Sequence, residues 1–177
     1  NRYLTSYTSI VTKCKNNNYV SLDKLIVKNP DTKFQIIKDK EYLYLDIKQI
    51  TTPIYNKSNI LYGYDLPSRA KISVKKHDII VSKLKGKISF TIILDDVDNI
   101  VCSNGFVLLR PKDYECAVIL FANLLAQRNK IKKSKLYLKD LKDTPYLIKD
   151  ILKLSDQIFE ISKQYSDASN FLYLGRG

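Results

Sequence analysis

Histidine and cysteine are scarce in this 177-residue chain: His77 is the only imidazole, and Cys14, Cys102 and Cys116 are the only thiols. Three thiols are an odd number, and no CxxC pair occurs, so neither a disulfide framework nor a Cys/His zinc site is expected. No run approaches the roughly 20 apolar residues of a membrane helix, and the opening NRYLTSYTSI has no apolar signal-peptide core. There is no GxSxG elbow, P-loop or dinucleotide fingerprint, and one histidine among many serines gives no triad to assemble. These absences point to a soluble chain in a reducing cytoplasm, with no membrane partner. The first residue is not Met, which fits a fragment.

What the chain does hold is positive charge: 30 Lys and Arg against 18 Asp and Glu, a net charge of +12. Such a balance favours nucleic acid or another polyanion, although a lysine-rich coding bias gives the same total. The charge is concentrated. Between Lys57 and Lys87 eight cations face only Asp65 and Asp78. At 45% hydrophobic, the chain is long enough for at least one packed domain.

Residues 68–94, SRAKISVKKHDIIVSKLKGKISFTIIL, carry most of this imbalance. Strand side chains alternate between faces, so Ile79, Val81 and Lys83 share one face while Ile80, Ser82 and Leu84 share the other. Lys85 and Lys87 bracket Gly86, where a turn is expected. The pattern reads as a basic sheet face. In EYLYLDIKQI, Tyr42, Tyr44 and Asp46 alternate with Leu43, Leu45 and Ile47, the period of a strand with two distinct faces. Those tyrosines fit packing or base stacking.

A polar loop is expected over residues 51–69, with Pro53, Asn56, Ser58, Asn59, Gly63 and Pro67 supplying its turn chemistry. Strands over residues 72–74, 79–84, 88–94 and 100–109 read as an antiparallel meander, with Asn104-Gly105 as a turn or bulge able to reach positive φ. Asp95, Asp96 and Asp98 read as a polar turn rather than a metal site. ECAVILFANLLAQRN has helical spacing, and RNKIKKSK follows as a basic linker. TPYLIKDILKLSDQIFEISKQYSD predicts a second helix, with Thr144 as N-cap and Pro145 at its first position. Its apolar stripe is Leu147, Ile148, Ile151, Leu154, Ile158 and Ile161.

SLDKLI, YLYLDIKQI, SRAKISVKKHDIIVSKLKGKIS and VCSNGFVLLRPK, in that order, resemble a target recognition domain of the specificity subunits of type I restriction-modification systems. The likeness covers about residues 19–113. Family members usually have glycine before the aspartate of VKKHDIIVSK; here His77 stands there, and histidine tolerates the left-handed region better than most residues.

The resemblance implies an α/β (α+β) domain with a strongly curved, mainly antiparallel sheet that holds one half of a bipartite site in double-stranded DNA. It implies no catalysis by this chain. Methyltransferase and restriction subunits are the implied partners, and S-adenosylmethionine would belong to the methyltransferase. Lysines suit phosphate contacts, and Arg, Asn, Ser and aromatic side chains suit base edges and stacks. The phosphate-binding candidates are Lys71, Lys75, Lys76, Lys83, Lys85 and Lys87; the base-reading candidates are Asn56, Ser58, Asn59, Tyr62, Tyr64 and Arg69.

Residues 141–177, ending in NFLYLGRG, are similar to the helix, strand and turn that open the second sugar-isomerase (SIS) domain of glutamine–fructose-6-phosphate aminotransferase, and the likeness extends back to about Ala117 in the ILFANLLAQR helix. The expected organisation is a tail at 1–18, the recognition domain at 19–115, a helix and basic linker at 116–140, and an incomplete SIS-like helix-strand segment at 141–177. That pairing implies a fragment or chimera, and the alternative reading is a fragment of the aminotransferase. No catalytic residue is carried over.

Overall fold

A computed structural model describes residues 19–84, 88–127, 135–144 and 146–147. Eleven short strands run through them: β1 (Tyr19–Val20), β2 (Glu41–Leu45), β3 (Ile50–Thr51), β4 (Ile54–Tyr55), β5 (Ile60–Tyr62), β6 (Ala70–Ser73), β7 (Ile79–Ser82), β8 (Phe90–Ile92), β9 (Ile100–Ser103), β10 (Phe106–Leu109) and β11 (Tyr146–Leu147). Two α-helices follow β10, α1 (Tyr114–Gln127) and α2 (Leu138–Lys142). The architecture is α+β.

The strands form four small sheets rather than one strongly curved one: β5-β2-β9-β6, β10-β7-β8, and the pairs β3-β4 and β1-β11. Pairing is antiparallel except between β2 and β9, where Leu43, Tyr44 and Leu45 run parallel to Ile100, Val101 and Cys102. The expected meander is also corrected. β6 pairs with β9, and β7 lies between β8 and β10. The chain changes sheet at the Lys75–His77 corner and again at Asn104-Gly105, so sequential strands are not always neighbours.

Three apolar layers explain why. Ile79 and Val81 of β7 pack with Phe90, Val107 and Leu109 against α1, while Ile80 joins Leu43, Leu45, Ile100, Cys102 and Phe106 between the two larger sheets. Both faces of β7 are therefore buried, and the basic sheet face expected there does not exist; Lys83 comes one residue after the strand ends. A strand buried on both sides requires a continuous aliphatic run, and IIV supplies it.

The alternation in β2 does separate two environments. Leu43 and Leu45 face the inter-sheet core, while Tyr42 and Tyr44 pack with Ala70 and Val101 beneath Phe34, Leu61 and Leu66. Both tyrosines are core residues. The Tyr42 hydroxyl accepts a hydrogen bond from the Ile37 amide at 3.0 Å, satisfying a polar tip that burial would otherwise penalise.

The helix α1 forms where helical spacing indicates. Asp113 caps it, its Oδ1 accepting from the Cys116 amide at 2.9 Å. Cys116 through Phe121 are all buried, which suits a helix apolar on most sides. Phe121 meets Phe90 edge-on, with ring centroids 5.9 Å apart.

Thr144 is not the N-cap of a new helix. It ends α2, its hydroxyl donating to the Asp140 carbonyl at 3.0 Å, and Tyr146–Leu147 continues as β11 beside β1. Tyr146 is fully buried in the α1 core, which draws this segment into the sheet pairing. The tail at 1–18, the linker at 128–134 and the helix, strand and turn expected beyond Leu147 lie outside the described residues.

Candidate nucleic-acid interface

The predicted contact residues fall into separate groups. One group surrounds the Asn104-Gly105 turn between β9 and β10. Arg69, just before β6, accepts the Asn104 amide on its carbonyl at 2.9 Å. Its guanidinium lies so close to Gly105 that a Cβ there would sit 2.9 Å from Nη2. Lys83, just after β7, donates its amide to the Gly105 carbonyl at 3.0 Å and its ammonium to the Asn104 carbonyl at 3.1 Å. The Gly105 amide is held by Ser103 Oγ at 3.0 Å. Asn104-Gly105 forms the expected turn, and neither residue uses the positive φ open to such a pair. A Cβ at 105 would displace only the mobile end of Arg69.

Beneath this turn the Tyr44 hydroxyl shares a hydrogen bond with Ser103. Burial, then the Asp46 carboxylate, raise its pKa, while Ser103 and the Arg69 guanidinium act in the opposite direction. The site therefore presents two cations over a neutral, ordered floor, with Asp46 as the nearby anion.

A second group sits at the opposite end of β6 and β9. Lys75 and Lys76 are exposed at the corner leading into β7 and line an open depression of about 930 Å³, whose walls also carry Asp96 and Asp98. Lys40 pairs with Asp98 at 3.2 Å, so the lysines here share their surface with acids. Below them Asp78, 1% exposed, is clasped by Arg110 through Nε and Nη2, both at 2.9 Å, and accepts the Lys75 amide at 2.8 Å. His77 has φ 72°, the left-handed conformation anticipated for it, and its ring meets Tyr114 edge-on at 4.9 Å. Burial, then Lys76, hold its imidazole pKa below the ordinary value.

Lys71 lies between these groups. Ala70 faces Ser103 and Ile72 faces Cys102, so Lys71 is an extra residue in β6, and such a bulge re-aims its side chain. Lys71 is exposed. Lys85 and Lys87 lie outside the described residues.

The loop candidates divide as well. The expected loop holds the β3-β4 hairpin and β5. Asn56 Oδ1 accepts the Ser58 amide at 2.7 Å, and Asn59 Nδ2 donates to the Tyr44 carbonyl at 3.1 Å; both side chains shape the chain itself. Ser58 is exposed. Tyr62 and Tyr64 stack on each other at the other end of β5, with centroids 5.3 Å apart and planes 10° apart, and both are exposed. Arg69 and Asn59 border opposite edges of the four-stranded sheet, about 14 Å apart by strand spacing. Sequence reasoning missed the meeting of Arg69 and Lys83 at Asn104, since it depends on the sheet change that places β6, β7 and β9 ends together.

Among the described residues no group of three or more His, Cys, Asp or Glu could hold a metal ion, and no helix is long and apolar enough to cross a membrane.

The fold is similar to that of the HsdS subunit from Thermoanaerobacter tengcongensis, with a TM-score of 0.62 over 85% of this chain and 43% of that one, at 16% identity. It is also similar to a chain from work on complex assembly and conformational transition of the type I R-M system, with a TM-score of 0.52 over 89% of this chain and 43% of that one, at 18% identity. The chain thus has an HsdS-like fold and spans less than half the length of each of these two structures. In sequence, 39 residues are 46% identical to glutamine–fructose-6-phosphate aminotransferase (isomerizing) of Bacteroides thetaiotaomicron, covering 22% of this chain and 6% of the enzyme. No family model matches the chain.

Proposed function

We propose that this chain recognises sequence in double-stranded DNA for a type I restriction-modification system, as a target recognition domain on one half of a bipartite site. In this reading it is not an enzyme. It positions methyltransferase and restriction subunits, and the adenine methyltransferase would bind S-adenosylmethionine. The observation that carries the reading is the HsdS-like fold over 85% of the chain. The convergence of Arg69 and Lys83 on one exposed turn supplies a physical means, since cations at a groove edge meet phosphates and arginine reads guanine.

Lys71, Lys75, Lys76, Lys83, Lys85 and Lys87 are assigned to phosphates. Of the base-reading candidates, Arg69, Ser58, Tyr62 and Tyr64 have exposed side chains; Asn56 and Asn59 act by shaping the loop. Replacing Lys83, Lys85 and Lys87 with Glu should weaken all duplexes together and lower the salt slope by about 3. Arg69→Ala should instead change preference among duplexes. Identical behaviour of the two variants in fluorescence anisotropy would reject the division between positioning and reading.

A second reading, part of a hexosamine-forming aminotransferase, rests on the 39-residue similarity alone. Sequencing the locus on both sides distinguishes the two. A continuing sugar-isomerase domain supports the enzyme, and a neighbouring methyltransferase or second recognition domain supports DNA specificity.

A further inference from the structure

We infer that the side-chain amide of Asn104 reads a base, and that the base is adenine; this rests on the DNA-recognition reading above. Of the other five described asparagines, four have their amides committed to the fold, and the fifth, exposed Asn29, stands away from the Arg69–Lys83 turn. Asn56 accepts from Ser58, Asn59 donates to the Tyr44 carbonyl, Asn99 to the Glu41 carbonyl and Asn123 to the Ile119 carbonyl. Asn104 is exposed, and its amide has no hydrogen-bond partner among the described residues.

Its backbone, by contrast, is fixed at both ends: the amide donates to the Arg69 carbonyl at 2.9 Å, and the carbonyl accepts the Lys83 ammonium at 3.1 Å. The next residue is tied by Ser103 Oγ and the Lys83 amide, each at 3.0 Å. The free amide therefore projects from a backbone position that is held at both ends. Lys83 and Arg69, on the same turn, would flank it at the DNA, Lys83 at a phosphate and Arg69 at a neighbouring base edge.

An asparagine amide offers one acceptor and two donors, which match adenine in the major groove: Oδ1 accepts from N6–H, and Nδ2 donates to N7. The Arg69 guanidinium lies against the neighbouring Gly105.

The test begins by selecting duplexes from a randomised library with the full chain. Wild type should yield a motif containing an adenine that Asn104→Ala and Asn104→Gly both lose, with discrimination there falling roughly 5- to 150-fold while other positions persist. Asn104 does not have positive φ, so alanine fits the turn, and glycine serves if alanine unfolds the protein. In the selected duplex, 7-deazaadenine at that position, which lacks the N7 acceptor, should weaken wild type and leave Asn104→Ala unaffected. An unchanged motif in both variants, or equal losses with 7-deazaadenine in wild type and variant, overturns the role of Asn104 while DNA recognition stands. Wild-type binding without any motif overturns it too. Failure of wild type to bind any duplex removes the DNA-recognition reading and this inference together.

Discussion

Substituting Arg110 with Met should be strongly destabilising, because it strands a buried carboxylate. Asp78 is 1% exposed and receives three hydrogen bonds, two from Arg110 at 2.9 Å and one from the Lys75 amide at 2.8 Å. Arg110 also donates Nη1 to the Asp31 carbonyl at 2.9 Å, and its side chain is only 13% exposed, so water screens the pair little. Methionine keeps much of the apolar stem and removes the guanidinium, leaving a buried carboxylate with one donor. Breaking a buried pair in this way costs about 3–5 kcal/mol. For a chain of this size each kcal/mol lowers the melting temperature by roughly 2–4 °C, so the expected drop is about 6–20 °C. Far-UV circular dichroism during heating and in urea measures it. The double variant Asp78→Leu/Arg110→Met removes the stranded charge and should recover part of the loss, short of the Lys75 amide it leaves without its acceptor. A loss below about 1 kcal/mol in Arg110→Met would refute the reasoning, because the carboxylate would then not depend on its partner.

Other outcomes follow from the same geometry. At His77, with φ 72°, His77→Val should destabilise by about 1–2 kcal/mol in chemical denaturation, whereas His77→Gly should stay within about 1 kcal/mol because relief of the left-handed backbone offsets the lost Tyr114 contact. Its imidazole has a lowered folded pKa, so the unfolded chain binds the proton first as pH falls. The stabilising contribution is complete above the unfolded value near 6.5 and is lost on acidification through the folded value, and His77→Gly should remove that part of the pH dependence. A Cβ at Gly63 would lie 2.0 Å from the Ile37 carbonyl oxygen, so Gly63→Ala should cost about 3 kcal/mol in the same denaturation assay. Cys102 and Cys116 are buried, burial pushing both thiols up, Cys116 to about 12; both should resist Ellman's reagent at pH 8 until the protein is unfolded.

The legible parts of this fold were those set by local pattern. Strand β2 follows from the Leu43/Leu45 against Tyr42/Tyr44 alternation and α1 from its helical spacing, while the left-handed turn before Asp78 was legible only through the resemblance, in which glycine usually stands at that position. The misread parts depend on what a strand meets. The run IIV in β7 is apolar on both parities, but Ser82, Lys83 and Lys85 beyond it suggest a half-exposed strand, and only the packing of α1 on one side and β2 and β9 on the other shows that both faces are buried. Thr144-Pro145 carries the chemistry of a helix start, but burial of Tyr146 beside β1 prevails locally. The candidate site was legible by residue type and not by grouping. Arg69 and Lys83 stand 14 positions apart in sequence and meet through two changes of sheet, whereas Lys75 and Lys76, nearer to Lys83 in sequence, lie at the opposite end of the sheets beside Asp96 and Asp98.

The central claim is that these cations bind duplex DNA through its phosphates. It is tested most directly by the affinity of the chain for a mixed-sequence duplex across salt concentrations. Three to six phosphate contacts predict a slope of log affinity against log salt of about −2.7 to −5.4, which is a loss of roughly 40- to 2,000-fold between 50 and 200 mM. An affinity that stays flat over that range, or no duplex binding at 50 mM, would contradict the account.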